Sequence, residues 1–336
     1  MNRRAFLKLA GLTSAAAAGG IVLANLDRFE TLGFDRNTYR VSQSRRAIGT
    51  RVDVTAIGES QAKTEDAVVA VFEDVYQMER LLTRYDNASP VCELNAEGRL
   101  EHLPAELASV LNACIAYYHE THGAFDMTVK PCIDLFKAKH AQGHKPSEAE
   151  IAALMPFVGT EKLQMRDNTL VIPQGMGITL DGAAPGFIAD RAADILKSHG
   201  IENFLVNAGG EIRTSGFARE GEDWRIAIQD PSGKGHYPGT FALRNAAVST
   251  SGDYEIYYGS DKVFHHIVDA KTGKSPSAFS SVTVMAPTAL EADILSTALF
   301  VMSPQEALAY VESRPHLSCL MVHHDGSIVK SRNFVG

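Results

Sequence analysis

The strongest constraint on the fold of this chain is a strand followed almost directly by a long amphipathic helix. Residues 50–57 alternate apolar and polar side chains with a period of two, which predicts a half-buried strand. Between residues 62 and 82 apolar side chains recur at helical spacing, at Val68, Val71, Phe72, Val75, Met78 and Leu82. A strand and a helix that each have one apolar face must be covered by a second layer, so we expect a sheet packed against helices.

Further strands and helices follow without a strict β-α-β alternation, which favours an α+β fold. Helices are predicted at 104–121, 145–156, 185–199, 290–301 and 305–313, and strands at 162–165, 169–172, 204–207, 224–229 and 263–268. We predict a single α+β domain over residues 31–336, with a mixed sheet packed against helices and a surface helix at 145–156. Of the 336 residues, 45% are hydrophobic, which is enough for a sizeable core.

Charge and cysteine content exclude some classes of protein. The net charge is −8, and no basic run follows the first residues, so a nucleic-acid-binding protein is not expected. The four cysteines form no C-x-x-C pair and have no histidine at zinc-like spacing. We interpret them as small buried hydrophobic residues. The oligomeric state is not readable from the sequence.

The first 30 residues have the pattern of a twin-arginine export signal. Arg3 and Arg4 precede Phe6, and a weakly hydrophobic stretch rich in alanine runs from Leu9 to Ala24. This stretch is shorter and less apolar than the ~20 residues that a membrane-spanning helix needs. We therefore expect a periplasmic protein exported by the twin-arginine route. The alternative is that the signal is not cleaved and retains the protein at the inner membrane.

One segment, 178–187, combines a predicted strand, a loop of small residues and the start of a helix. Pro185 suits the first turn of that helix, where its missing N–H costs no hydrogen bond. Small residues let a ligand approach the backbone, and the free N–H groups of a helix N-terminus favour a phosphate. A plain strand-to-helix turn explains the pattern equally well.

Another segment, 287–300, places an acid inside a very apolar helix. Thr288 and Glu291 are spaced as a capping box. Asp293 and Thr297 are four residues apart and share one helix face. A carboxylate and a hydroxyl are oxygen ligands of the kind that Mg²⁺ prefers. The alternative is an exposed Asp293, with Thr297 bonded back to its own helix.

Two more segments end in turns that carry polar residues. Residues 205–212 run from a strand into Asn207, two glycines and an acid, a pattern that also occurs in simple turns. His265 and His266 are adjacent in a predicted strand, so their side chains point in opposite directions and cannot easily share one ligand. A single histidine acting as a general base is the better functional interpretation, and a structural histidine is the alternative.

Taken in order, these segments resemble the FAD:protein FMN transferase (ApbE-type) family. The resemblance covers about residues 45 to 330. The matching motifs are Gly49-Thr50, Thr83-Arg84-Tyr85-Asp86, Leu94-Asn95, Gly123-Ala124-Phe125-Asp126, Asn207-Ala208-Gly209-Gly210-Glu211-Ile212, Ser251-Gly252-Asp253-Tyr254, His266-Ile267-Val268-Asp269, Thr272-Gly273, Glu291-Ala292-Asp293 and Thr297-Ala298-Leu299-Phe300.

The resemblance implies a reaction and a set of site residues. FMN would pass from FAD to a threonine or serine hydroxyl of an exported or membrane redox protein, and AMP would be released. A Mg²⁺ ion held by Asp293, Thr297 and the backbone carbonyl of Gly182 would bridge the FAD pyrophosphate, and His266 would be the base. The flavin-binding positions implied by the resemblance are Ile48, Tyr85, Ala124, Phe125, Asp126, Thr179, Pro185 and Ile267.

Two positions in the glycine loop depart from the family pattern. Thr179 and Pro185 stand where the family usually has Asp and Lys, and a proline cannot place a cation near a phosphate. Members concerned with nitrous oxide reductase maturation also vary in this loop, and this chain resembles them there. Two alternatives to the transferase stay open, a non-catalytic periplasmic flavin-binding or maturation protein and an FAD-hydrolysing pyrophosphatase. A nicotinamide-dependent oxidoreductase is not expected, because no G-x-G-x-x-G follows the first strand.

Overall fold

A computed structural model describes residues 30–33, 38–233, 237–259 and 261–335 of the chain. The predicted export signal lies outside these residues, except for Glu30, which begins the first strand. Within the described part of the chain, no helix has the length and apolar character needed to cross a membrane.

The centre of the fold is a nine-stranded sheet. The strands of the described residues are β1 Glu30–Gly33, β2 Tyr39–Ala47, β3 Thr50–Gly58, β4 Arg99–Leu100, β5 Gln164–Arg166, β6 Thr169–Val171, β7 Asn203–Ala208, β8 Ile212–Ser215, β9 Trp224–Ala227, β10 Thr240–Leu243, β11 Ala247–Gly252, β12 Tyr257–Tyr258, β13 Phe264–His265, β14 Phe279–Ala286, β15 Ser318–His323 and β16 Ile328–Lys330. The large sheet has the order β1-β2-β3-β7-β8-β11-β14-β15-β16.

The α+β class is confirmed, but the sheet is not the mixed one we expected. Each described pairing in it is antiparallel. The pairs β2–β3, β7–β8 and β15–β16 are joined by tight turns, and two strands joined by a short turn can only run antiparallel. The half-buried strand predicted from residue 50 is β3, in which Val52, Val54 and Ala56 are buried.

Helices cover one face of this sheet. The helices of the described residues are α1 Gln61–Leu82, α2 Pro90–Glu97, α3 Ala105–Glu120, α4 Lys130–Ala141, α5 Glu148–Leu154, α6 Ala184–Ser198, α7 Ala289–Val301 and α8 Pro304–Glu312, with single 3-10 turns at Met155–Phe157 and Thr160–Lys162. The long amphipathic helix predicted near the start of the domain is α1, and its predicted apolar residues are all buried. Helix α6 packs against both α1 and α7, and all three helices pack on the sheet.

The opposite face of the sheet is covered by the β9–β10 hairpin. In β15, Cys319 and Met321 face the helices, whereas Leu320 and Val322 pack against the hairpin. Both faces of this strand are therefore buried. The four cysteines are free. Cys114, Cys132 and Cys319 are buried as expected, whereas Cys92 is only half-buried.

A smaller apolar cluster joins α4 and α5 to the segment around residue 268. Ile151 and Val268 are buried in it. The helix predicted at 145–156 is shorter, Glu148–Leu154, and it lies on the surface as predicted, with Ile151 as its buried residue. The strand predicted at 263–268 was also too long: only Phe264 and His265 pair, and Val268 packs in this cluster.

Candidate functional site

A cavity of about 700 Å³, its open mouth included, lies between the sheet, α7 and the loops beside α4. Its walls come from segments that are far apart in the sequence. Of the residues predicted for the site, those that line the cavity are Ala124, Phe125, Asp126, Thr179, Gly182, His266, Ile267, Asp293 and Thr297.

The other three predicted residues, Ile48, Tyr85 and Pro185, do not line the cavity. Ile48 occupies the turn between β2 and β3 with a φ of 51°, next to Gly49. Pro185 stands in the first turn of α6, as predicted. Tyr85 is 65% exposed, and its hydroxyl lies 3.4 Å from Oδ2 of Asp181, which does line the cavity. Flavin contacts of these three residues stay predictions.

Asp293 is a buried carboxylate inside α7. It is 4% exposed, so the exposed alternative is wrong. The backbone N–H of Gly186 donates to its Oδ2 at 2.9 Å, which ties the first turn of α6 to α7. Burial, and in addition the charge of Glu211, raises the pKa of Asp293 well above its ordinary value. A group in this state gains from a nearby cation.

Thr297 lies one helical turn after Asp293 and faces the same cavity. Its Oγ1 is 3.2 Å from Oγ of Ser251, a contact outside its own helix. The helix begins as predicted, because Thr288 accepts a hydrogen bond from the backbone N–H of Glu291. The reciprocal half of the predicted capping box is absent: the Glu291 carboxylate instead approaches Nε2 of His316 at 3.3 Å.

The loop with Gly182 is fixed by groups outside it, which is why the strand predicted near 178–180 does not form. The Asn95 amide bonds both the N–H and the carbonyl of Ile178, at 2.7 and 3.0 Å. The N–H of Thr179 donates to the carbonyl of Met127 at 2.8 Å. These bonds take the place of a β-ladder. Gly182 itself packs on Thr297, because a Cβ added there would lie 2.9 Å from Oγ1.

The two adjacent histidines point to different places, as predicted. His265 is 2% exposed, and its Nε2 lies 2.9 Å from the carbonyl of Pro276. His266 lines the cavity, and its Nδ1 lies 3.1 Å from the carbonyl of Ile256. A carbonyl only accepts, so Nδ1 must carry the proton and Nε2 keeps a free lone pair. Burial lowers the pKa of His266, which keeps the ring neutral near pH 7.

Asp126 lines the cavity but its carboxylate is already engaged. Its Oδ1 accepts from the N–H and hydroxyl of Thr128 at 2.8 and 2.6 Å, and from the hydroxyl of Thr160 at 2.8 Å. The N–H of Thr160 donates to Oδ2 at 3.2 Å. With this many donors Asp126 shapes the loop that carries Ala124 and Phe125, and has little capacity left for a ligand.

Comparison with known proteins places these residues in a family. The model of the ApbE family matches residues 48–321. The chain belongs to the ApbE family. An FAD:protein FMN transferase of Haemophilus influenzae is 30% identical over 314 residues, 88% of this chain and 90% of the relative. An FAD:protein FMN transferase of Vibrio cholerae is 38% identical over 205 residues, 57% of this chain and 60% of the relative.

Solved structures of the ApbE family have the same fold. The crystal structure of the ApbE protein from Thermotoga maritima has a TM-score of 0.80 at 31% identity, covering 88% of this chain and 98% of that one. The flavin transferase ApbE from Vibrio cholerae has a TM-score of 0.76 at 28% identity, with the same coverage. The family resemblance drawn from the sequence motifs is confirmed.

Sequence reasoning missed two acids of this ApbE-family site. Glu211 and Glu255 line the cavity together with Asp293. Burial raises the pKa of Glu211 to about 8 and that of Glu255 to about 7, although the Glu255 side chain reaches solvent through the mouth. Glu211 stands in a motif noted above, after the glycine pair, and Glu255 directly follows the motif that ends at Tyr254. The signal was therefore present, but an acid beside turn residues does not show that it will be buried.

The donor set fits Mg²⁺. The described residues contain no cluster of three histidine, cysteine or acidic side chains that could hold a metal by itself. Mg²⁺ does not need one, since it is commonly held by one or two carboxylates together with substrate phosphates and water. Around Asp293 the available donors are oxygens, and the described residues lining the cavity include no lysine or arginine. A desolvated carboxylate without a basic partner suits a bound cation.

The two departures from the family pattern have visible structural roles. The hydroxyl of Thr179 accepts from the N–H of Asp181 at 3.2 Å, so it closes a local turn where the family usually has an acid. Pro185 starts α6 and brings no charge. The glycine loop of this ApbE-family chain therefore offers a ligand backbone groups and Asp181, and no cation.

Proposed function

We propose that the protein is a magnesium-dependent FAD:protein FMN transferase, which transfers FMN from FAD to a threonine or serine hydroxyl of an acceptor protein and releases AMP. That it is a transferase follows from its membership of the ApbE family, whose relatives carry this name. The observation that carries the finer proposal is the meeting of Asp293, Thr297, Gly182 and a neutral His266 in one cavity.

Three groups would hold the metal in this proposal: the carboxylate of Asp293, the hydroxyl of Thr297 and the carbonyl of Gly182. Bound there, Mg²⁺ would offset the negative charge of the pyrophosphate and of the departing AMP. The protein's own contribution is to hold these oxygens rigidly. Asp293 is fixed by the Gly186 N–H, and the Gly182 loop by Asn95 and Met127.

His266 would act on the acceptor hydroxyl. The Ile256 carbonyl holds the Nδ1 proton, so Nε2 is free to take the hydroxyl proton. The hydroxyl oxygen then bonds to the FMN phosphorus, and the phosphorus–oxygen bond to AMP breaks. Because burial lowers the pKa of His266, the base is in its working form at neutral pH.

We place the protein in the periplasm, exported by the twin-arginine route, and its acceptor among exported or membrane redox proteins. The paired Arg3 and Arg4 with the alanine-rich stretch after them support this location. A fusion of residues 1–30 to a reporter that is active only after export in folded form would test it. A lysine pair in place of these arginines should abolish export.

One observation favours a second candidate, a flavin carrier that does no chemistry. Pro185 brings no charge, and the described residues that line the cavity supply no lysine or arginine for the FAD phosphates. In that case FAD would bind and remain intact. An FAD-hydrolysing pyrophosphatase would use the same groups with water as the acceptor.

The test is to incubate purified protein with FAD, Mg²⁺ and an acceptor domain with a reactive threonine, and to measure the acceptor mass. We expect an FMN adduct that disappears with EDTA and with Asp293→Ala. Asp194→Ala, which removes an exposed acid of α6, is the matched control and should form the adduct. Intact FAD without an adduct would establish the carrier, and FMN and AMP without an adduct would establish the hydrolase.

A further inference from the structure

The mouth of the cavity carries an aromatic ring that is held from behind by a cation. Tyr85 is 65% exposed, although its ring is large and apolar. The guanidinium carbon of Arg84 lies 4.5 Å from the centroid of this ring and covers one of its faces. The remaining surface of the ring is open to solvent. An exposed tyrosine held in this way presents a flat surface at the entrance to the site.

Arg84 has little freedom to move. Its side chain is 9% exposed, and its Nε and one terminal nitrogen lie 2.9 and 2.8 Å from Oδ2 of Asp181. Its other terminal nitrogen is 3.7 Å from Asp134. The Tyr85 hydroxyl approaches the same Oδ2 of Asp181 at 3.4 Å. We call Arg84, Tyr85 and Asp181 the rim clamp.

The rim clamp connects the ring to the loop that lines the cavity. Asp181 stands between Thr179 and Gly182, and all three line the cavity. The Asn95 amide fixes the same loop three residues earlier, at Ile178. The hydrogen bonds and the ion pair of the rim clamp therefore fix the position of the Tyr85 ring relative to Gly182. The side-chain torsions of Tyr85 alone do not set it.

We propose that Arg84 and Asp181 are positioning residues that hold Tyr85 as the outer wall for the planar isoalloxazine ring of FAD. The ligand's identity rests on the proposed function. An aromatic ring stacks best on a flat partner whose orientation is already fixed, because binding then does not have to order that side chain. The clamp supplies this order in the free protein.

Binding titrations test the proposal. Arg84→Met keeps much of the side-chain length but removes the charge and the hydrogen bonds to Asp181. We expect it to bind FAD about fivefold more weakly and to quench flavin fluorescence less. Affinity for ADP, which has the phosphates but no flavin ring, should change less than the affinity for FAD. Arg332→Met, which removes an exposed two-bond ion pair with Glu312, is the matched control and should bind FAD like the parent.

A double variant tests whether Arg84 acts through the ring. If it does, Arg84→Met adds little to the loss of FAD affinity caused by Tyr85→Ala, and Asp181→Asn behaves like Arg84→Met. Thermal unfolding of each variant checks that the fold is kept.

Two results would overturn the proposal. One is parent-like FAD affinity and quenching in both Arg84→Met and Asp181→Asn. The other is an equal loss of ADP and FAD affinity, which would mean that the pair only supports the loop near the phosphates. Because these measurements follow binding, a protein that stacks flavin but forms no adduct would disprove the proposed function and leave the rim clamp standing.

Discussion

A carboxylate buried in an apolar helix is costly unless donors or a cation compensate it. Asp293 has one backbone donor, Gly186, and shares its cavity with four further acids, Asp126, Asp181, Glu211 and Glu255. Burial, and after it the charge of Glu211, therefore raises its pKa well above the ordinary value. A carboxylate in this state suits a bound ion better than it suits the stability of the fold, and substitution can separate these two roles.

Asp293→Asn should separate them. The amide imitates the protonated acid in size, so the free energy of unfolding of the metal-free protein should change by no more than about 1 kcal/mol. FMN transfer should fall by about 100-fold or more, because the amide cannot neutralise a metal ion. Urea unfolding and adduct mass spectrometry give the two numbers. Retained transfer would contradict the assignment of Asp293 as a ligand, and Asp194→Asn is the control.

The buried His265 leads us to a prediction about the stability of the fold at acidic pH. Burial lowers its pKa from 6.5 to about 4, and its Nδ1 has no hydrogen-bond partner among the described atoms. Below pH 6.5 the His265 side chain binds a proton in the unfolded chain, whereas in the folded chain it binds one only near pH 4. The stability present above pH 6.5 is therefore lost as the pH falls toward 4, by at most roughly 3 kcal/mol.

His265→Gln keeps a side-chain donor for the Pro276 carbonyl and removes the titration. We expect the loss of unfolding free energy between pH 7 and pH 5 to be smaller in this variant than in the parent. The exposed His199→Gln is the matched control and should keep the parent's pH dependence. If the unfolding free energies of His265→Gln and the parent changed equally with pH, the groups responsible for the loss in acid would be others than His265.

Some residues of the site could be predicted from the sequence and others could not, because the sequence shows unusual neighbours but not tertiary packing. Asp293 could be found because an acid surrounded by Ile, Leu and Ala is unusual in a helix. Glu211 and Glu255 follow turn-forming residues, where acids are ordinary, and only tertiary packing decides that they are surrounded by protein. Tyr85 was assigned by family resemblance, and the ion pair behind it requires two loops to meet that are 97 residues apart.

The crossing of α6 and α7 depends on the absence of a side chain at Gly186. A Cβ added there would lie 2.5 Å from the carbonyl oxygen of Ala289 and 2.8 Å from Cβ of Asp293. Ordinarily, glycine to alanine inside a helix is stabilising by up to about 1 kcal/mol. At Gly186 the clash with the Ala289 carbonyl makes the same substitution destabilising.

Gly186→Ala should therefore lower the free energy of unfolding by about 1–3 kcal/mol, and should reduce FAD-dependent activity as well because it displaces Asp293. Urea unfolding measures the first effect. Ser198→Ala, at an exposed position of the same helix, should stay within about 0.5 kcal/mol of the parent. A stabilised Gly186→Ala would mean that the two helices have room to separate.

Elements with a clear period were predictable, and strands buried on both faces were not. The helices α1 and α6 and the strand β3 each keep one apolar face and were predicted within a residue or two. Helix α7 is buried around most of its circumference, and it was predicted from the capping residues at its start. Strands β11, β14 and β15 were missed. Most of their residues are buried, so they lack the alternation that marks a half-buried strand. The opposite error occurred near residue 178, where an extended segment bonds to a side chain instead of a strand.

The thermal stability of the whole molecule should depend on pH and on bound metal together. Burial raises the pKa of Glu211 from 4.5 to about 8 and that of Glu255 from 4.5 to about 7. Stability present below pH 4.5 is therefore lost as the pH rises toward 8, because the folded protein must then ionise these acids. A bound divalent cation favours the ionised state, so its effect should grow over the same range.

We accordingly expect the Tm of the metal-free protein to fall between pH 6 and pH 8, and excess MgCl₂ to raise the Tm more at pH 8 than at pH 6. Differential scanning calorimetry with NaCl of equal ionic strength as the control measures this. An equal rise at both pH values would show that Mg²⁺ does not bind near these acids.

The cavity has a consequence for how the chain matures. The bond between Gly186 and Asp293 closes a loop of 107 residues, and the bond between Arg84 and Asp181 closes one of 97. Contacts this distant in sequence are slow to form, so the site is complete only when nearly all of the domain has docked. Retention of flavin on a sizing column is then a label-free sign of finished folding, and nascent or truncated chains that stop before α7 should pass through colourless.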